Sequence, residues 1–128
     1  MLNDKDRRYG ITKILSLQHL KKCLQDESFD FLEYAVLFGS RAVGNAHLQS
    51  DYDIAVYAKP DQKPKWGTAA EVWGVLGRRC GLDDCDLDIV DLATAPKGLL
   101  DSIAEGYKIL KGDKDGFSEL LAKLRRSR

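Results

Sequence analysis

The sequence predicts an α/β (α+β) architecture of strands and packed helices, in one domain covering residues 1–128. Three observations lead there. Short apolar runs of strand length alternate with stretches whose apolar residues recur at helical spacing. No internal repeat, linker or low-complexity segment divides the chain. At 128 residues the chain can build one real core, but not a core plus a substantial second domain.

The elements follow in order. Residues 1–9 are polar. Ile11, Ile14, Leu17, Leu20 and Leu24 then form a helical stripe, widened by Leu15, which predicts a first helix from Ile11 to Gln25. Asp26 to Asp30 is a polar turn. Ala35-Val36-Leu37-Phe38 is an apolar run of the kind that forms a buried strand, and Gly39-Ser40 breaks it with a tight turn. A second strand runs from Asp51 to Tyr57. The stretch Ala58 to Lys65, with two prolines and three lysines, marks an exposed connector.

Thr68 is a candidate cap for a helix containing Ala69, Val72, Trp73, Leu76 and Cys80, with Gly81 as its C-cap and Trp73 expected in the core. Gly74 and Gly77 lower the propensity of that helix. Asp84 to Leu92 is a third strand. Thr94, as N-cap, and Pro96, in the first turn, open a helix with Leu99, Leu100, Ile103 and Ala104 on its apolar side, stopped by Gly106. Tyr107 to Leu110 is a short closing strand. Phe117, Leu120, Leu121 and Leu124 give an i, i+3, i+4, i+7 stripe for a C-terminal helix over residues 115–126, beyond a core spanning 11–110. That helix either docks on its own domain, or the helix or its basic tail meets a partner.

Composition excludes several classes. Apolar residues are 44% and charged residues 31%, as in a soluble globular protein. Twenty basic residues balance twenty acidic ones, so no general field draws the chain to nucleic acid, and direct nucleic-acid binding is not expected. No apolar run is long enough to span a membrane, and the N-terminus lacks an apolar signal core. A cytoplasmic location is expected. Cys23, Cys80 and Cys85 have no zinc-like pairing and read as small apolar fillers, and His19 and His47 form no ligand cluster.

The chemistry concentrates between Phe38 and Val56. Strand side chains alternate, so Asp51 and Asp53 point to one face and Tyr52 to the other. Paired carboxylates raise one another's pKa, and a bound divalent cation relieves the conflict. Mg²⁺ prefers oxygen ligands and leaves coordination positions for substrate phosphate. The Gly39-Ser40 turn supplies backbone N–H groups and a hydroxyl for phosphate. A solvated edge strand beside an ordinary turn would explain Asp-x-Asp alone, but not the whole arrangement.

Gly39-Ser40-Arg41-Ala42, then Gly44, then Ser50-Asp51-Tyr52-Asp53-Ile54 resembles the signature of the DNA polymerase beta-like nucleotidyltransferase superfamily, and within it the minimal nucleotidyltransferase (MNT) group. Leu87-Asp88-Ile89-Val90-Asp91-Leu92 is similar to that group's third-carboxylate strand. The resemblance implies a polymerase beta-like fold, a small mixed sheet with packed helices, with Asp51, Asp53 and Asp88 as catalytic and metal-holding residues. Asp86 competes for the third place if the register differs, and Asp91 reads as structural. Gly39 and Ser40 would bind the nucleotide, with ATP as substrate and one or two Mg²⁺ ions as cofactor. Val43 stands where many members carry a second Arg. Arg41 stays outside the catalytic set.

MNT proteins of this size resemble antitoxins of MNT–HEPN toxin–antitoxin pairs. The implied activity is transfer of AMP from ATP onto a tyrosine of a HEPN-type toxin, within a heteromeric complex. Two other readings stay open. One is a non-catalytic antitoxin that neutralises its partner sterically. The other is a small-molecule nucleotidyltransferase, of aminoglycoside type, with a separate acceptor-binding subunit.

Overall fold

A computed structural model describes residues 17–39, 52–81 and 87–128. Its described elements are α1 (Leu17–Leu24), β1 (Leu32–Phe38), β2 (Tyr52–Ala58), α2 (Thr68–Cys80), β3 (Leu87–Asp91), α3 (Lys97–Glu105), β4 (Tyr107–Lys111) and α4 (Lys114–Ser127). Short 3₁₀ turns cover Glu27–Phe29 and Leu92–Thr94. The four strands form one sheet in the order β3-β2-β1-β4. β1 runs antiparallel to β2 and β4, while β2 and β3 are parallel, so the sheet is mixed.

The two faces of the sheet carry separate cores. Ala35, Leu37, Tyr52, Ile54 and Val56 pack under Leu20 and Leu24 of α1 and Val72, Val75 and Leu76 of α2. The alternate residues Val36, Phe38 and Ala55 pack under Leu100 and Ile103 of α3 and Phe117 and Leu121 of α4. This is the period-2 alternation of a strand, with both faces covered. It explains why central β1 reads as a continuous apolar run. Phe117 sits edge-on to Tyr34 and Tyr107, with ring centroids 5.7 and 4.9 Å apart. Asp113 caps α4 by accepting a hydrogen bond from the backbone N–H of Gly116 at 2.7 Å. The C-terminal helix therefore docks on its own sheet. No helix of the described residues is long and apolar enough to cross a membrane.

Some expected elements need correction. Of the expected first helix, Leu17–Leu24 is helical and residues 11–16 lie outside the described residues. Thr68 does not cap α2. It is already helical and buried, and Gly67 (φ 100°) precedes it as N-cap without a side-chain bond. Thr94 does not cap α3, because Pro96 holds that place. Thr94 instead ends a 3₁₀ turn that Asp91 caps, its carboxylate accepting from the Ala93 N–H at 3.0 Å. Leu92 belongs to this turn and not to the third strand, whose expected start at 84–86 lies outside the described residues. Trp73, expected in the core, is 54% exposed. With Val72, Val75 and Leu76 inward, a residue one step past Val72 is rotated by about 100° to the flank of the helix.

Candidate active site

The site is assembled where three strand ends meet. β1 ends at Phe38, and β2 and β3 begin beside it. Register places Phe38 opposite Asp53 across the antiparallel pair, and Asp53 opposite Asp88 across the parallel pair. Neighbouring strands lie about 4.8 Å apart, and partner residues in a ladder point to the same face. Asp53 and Asp88 are thus adjacent carboxylates. Both lie on the α3/α4 face, at the end of the row that continues inward as Ala55 and Val90. Asp53 is half-buried and Asp88 exposed. Tyr52 is 2% exposed and belongs to the opposite core, so the alternation expected of this strand holds.

Gly39 closes the site from the β1 side. It adopts φ +76°, a left-handed conformation that L side chains rarely take. A Cβ on Gly39 would collide with the carboxylate Oδ2 of Asp53 and lie 3.2 Å from its Cγ. The backbone therefore approaches Asp53 as closely as a residue without a side chain allows. Glycine is needed here twice, for its conformation and for its missing Cβ.

Of the residues singled out from sequence, the fold brings together Gly39, Asp53 and Asp88. Ser40, Arg41, Val43, His47, Asp51 and Asp86 lie outside the described residues. Asp91 is held apart as a turn cap. Among the described residues, no three His, Cys, Asp or Glu side chains cluster as a metal site. The described donor set is the Asp53–Asp88 pair. Two adjacent carboxylates on one face carry like charge, and hard oxygen donors of this kind suit a divalent cation such as Mg²⁺. A cavity of about 500 Å³ lined by Lys97, Ala122, Arg125, Arg126 and Arg128 lies on α3 and α4, with none of the candidate residues in its wall.

The chain matches the family "Polymerase beta, Nucleotidyltransferase" over residues 18–115. It is 30% identical over 114 residues to a protein adenylyltransferase, MntA, of Aphanizomenon flos-aquae (strain 2012/KM1/D3), covering 85% of this chain and 72% of the relative. Its fold is similar to a chain in the crystal structure of a toxin–antitoxin with AMP-PNP, with TM-score 0.66, 29% identity, and coverage of 86% of this chain and 84% of that one. It is also similar to a chain in a complex of a tri-AMPylated Shewanella oneidensis HEPN toxin with its MNT antitoxin. There the TM-score is 0.58 and identity 26%, covering 85% of this chain and 83% of that one.

Proposed function

Since the chain belongs to the polymerase beta nucleotidyltransferase family and is a nucleotidyltransferase, we propose that it is a cytoplasmic antitoxin that adenylylates its toxin. The reaction moves AMP from ATP onto a tyrosine hydroxyl of a HEPN-type partner. The observation that carries this reading is the register that sets Asp53 beside Asp88, with the Gly39 backbone against the Asp53 carboxylate. A glycine turn next to paired carboxylates is what a triphosphate with its cation requires. Support for the partner comes from the relatives: one is a protein adenylyltransferase, and another is bound to an AMPylated HEPN toxin.

Gly39 and Ser40 hold the β- and γ-phosphates through backbone N–H groups and the hydroxyl. Asp51, Asp53 and Asp88 are the residues that would hold Mg²⁺, which when bound supplies charge neutralisation for the triphosphate and the departing pyrophosphate. Asp88, at the exposed side of the pair, takes the proton of the attacking hydroxyl. The acceptor oxygen bonds to the α-phosphorus, the bond to the α–β bridging oxygen breaks, and pyrophosphate leaves. Most of the acceleration comes from positioning and charge, as in phosphoryl transfer generally.

The test is intact-mass spectrometry of the HEPN-type protein encoded beside this chain, after incubation with the chain, ATP and Mg²⁺. The reading predicts gain of one or more AMP units, absent with Asp53→Asn. A mass unchanged under turnover conditions, with neutralisation of the toxin intact, would replace adenylylation by steric blockade.

A further inference from the structure

Helix α2 shows the solvent a surface its own fold does not explain. Val72, Val75 and Leu76 face the sheet and are buried. The outward arc carries Ala70, Trp73, Gly74 and Gly77, with the guanidinium of exposed Arg78 reaching over Gly74. The only two tryptophans of the chain are both here: Trp73 is 54% exposed, and Trp66, at the entry to the helix, is 71% exposed. An indole offers roughly 150–250 Å² of contact surface, and tryptophan is enriched among interface residues that dominate binding energy. Trp66 is also held in place, its indole N–H donating to Glu71 Oε2 at 2.5 Å across the first turn. Part of the ordering cost of binding is thereby already met in the free chain.

Gly74 is the second observation. A mid-helix glycine costs about 1 kcal/mol relative to alanine. A Cβ at Gly74 would touch only the mobile end of Arg78, with Nη1 at 3.0 Å, so no core packing of this chain demands the glycine. Beside an exposed tryptophan, a backbone covered only by the flexible end of Arg78 suits close approach of another helix once that side chain swings aside, since interaxial distance is set by the side chains at the contact.

The charges around this strip select the occupant. Exposed Lys63 and Lys65 lie before the helix, and exposed Arg78 and Arg79 lie at its end. In a symmetric pairing of two copies, antiparallel helices would set the lysines against the arginines, and parallel helices would set each group against itself. A second copy is therefore disfavoured. Nucleic acid is disfavoured too, because the group that engages the Trp66 indole is the carboxylate of Glu71 and not a cation.

We infer that the outer face of α2, with Trp66, Trp73 and Gly74 at its centre, docks an amphipathic helix of a partner protein whose flanks are acidic. The partner is the protein acceptor of the reading above, on which this inference rests. α2 covers the sheet face opposite the one bearing Asp53 and Asp88. A partner held there is tethered to the enzyme while the carboxylates stay open to ATP.

The experiment labels this chain with 5-fluorotryptophan and titrates it with the unlabelled HEPN-type protein encoded beside it, following the two ¹⁹F resonances and the Kd. Both resonances shift, and Trp73→Ser or Gly74→Leu weakens binding at least about 30-fold with an unchanged melting temperature. Lys63→Glu with Lys65→Glu weakens binding and flattens its salt dependence. Asp53→Asn binds as the wild type does. If the complex forms with both resonances unmoved, if the variants bind normally, or if no complex forms, the inference is overturned. Resonances that move with the concentration of this chain alone, or only with a single-stranded RNA oligonucleotide, overturn it in favour of a second copy or nucleic acid. A complex that depends on Trp73 but yields no AMP on the partner leaves the docking surface standing and removes the adenylylation reading instead.

Discussion

The α3/α4 face of the sheet has two regions built from the same strands in the same register, with opposite contents. In the middle, Val36 and Ala55 are sealed beneath Leu100, Ile103, Phe117 and Leu121, with partly buried Val90 packed against them. At the end, two residues earlier along β2 and β3, the same row of positions carries Asp53 and Asp88. Apolar residues in that row are stabilised by burial, at roughly 25 cal/mol per Å² removed from water. Carboxylates side by side in that row disfavour one another's charged form, a conflict that a bound cation would relieve. On the function proposed above, the middle serves stability and the end serves chemistry, and substitutions should separate the two.

The largest separation is expected at the carboxylates. Asp53→Asn and Asp88→Asn should each reduce AMP transfer by about 10²–10⁴-fold or more, the range for removing a positioned acid–base group. Circular dichroism melts of metal-free Asp88→Asn should match or exceed the wild type, because a repulsive pair has been relieved. Next is the reverse case, Phe117→Ala. It empties a fully buried site between Tyr34 and Tyr107 and should cost about 3–5 kcal/mol in urea denaturation. Transfer per folded molecule should be retained.

Gly39→Ala falls between the regions. It forces a side chain into a positive-φ conformation, at about 1–3 kcal/mol, and displaces the Asp53 carboxylate. Stability and transfer should fall together, which neither of the other substitutions does.

The smallest effect is expected at the surface. Arg125 and then Lys97 hydrogen-bond the Asp101 carboxylate and hold it below its ordinary value of 3.8. A depressed folded pKa gives stability that is present above the unfolded value and lost as pH falls through the folded one. Asp101→Asn should therefore lower the urea midpoint slightly at neutral pH, and the difference from wild type should vanish as pH falls below about 4.

What could be read from the sequence follows the same division. β1 and β2 were legible because a buried central strand has few alternatives to a continuous apolar run. The face of Asp88 was legible from its alternation with Val90, but alternation gives Asp84 and Asp86 the same face, and the resemblance alone singled out Asp88 among the three. Trp73 was not, since size and apolarity argue for the core while only the angular position relative to Val72, Val75 and Leu76 turns it outward. The caps at Thr68 and Thr94 were misplaced because hydroxyl residues mark helix starts on average. Here a glycine at positive φ and a proline took those places, and Asp91 capped the intervening turn. Gly39 was legible as a turn, but its contact with Asp53 depends on how β1 and β2 meet, which no local pattern encodes.

The most direct test of this division measures one variant two ways. Asp88→Asn would be assayed for AMP transfer to the HEPN-type partner and, in parallel, for its melting temperature without metal. The division predicts transfer reduced by at least about 10²-fold with an unchanged or higher melting temperature. Wild-type transfer, or loss of transfer only in step with loss of fold, would contradict it.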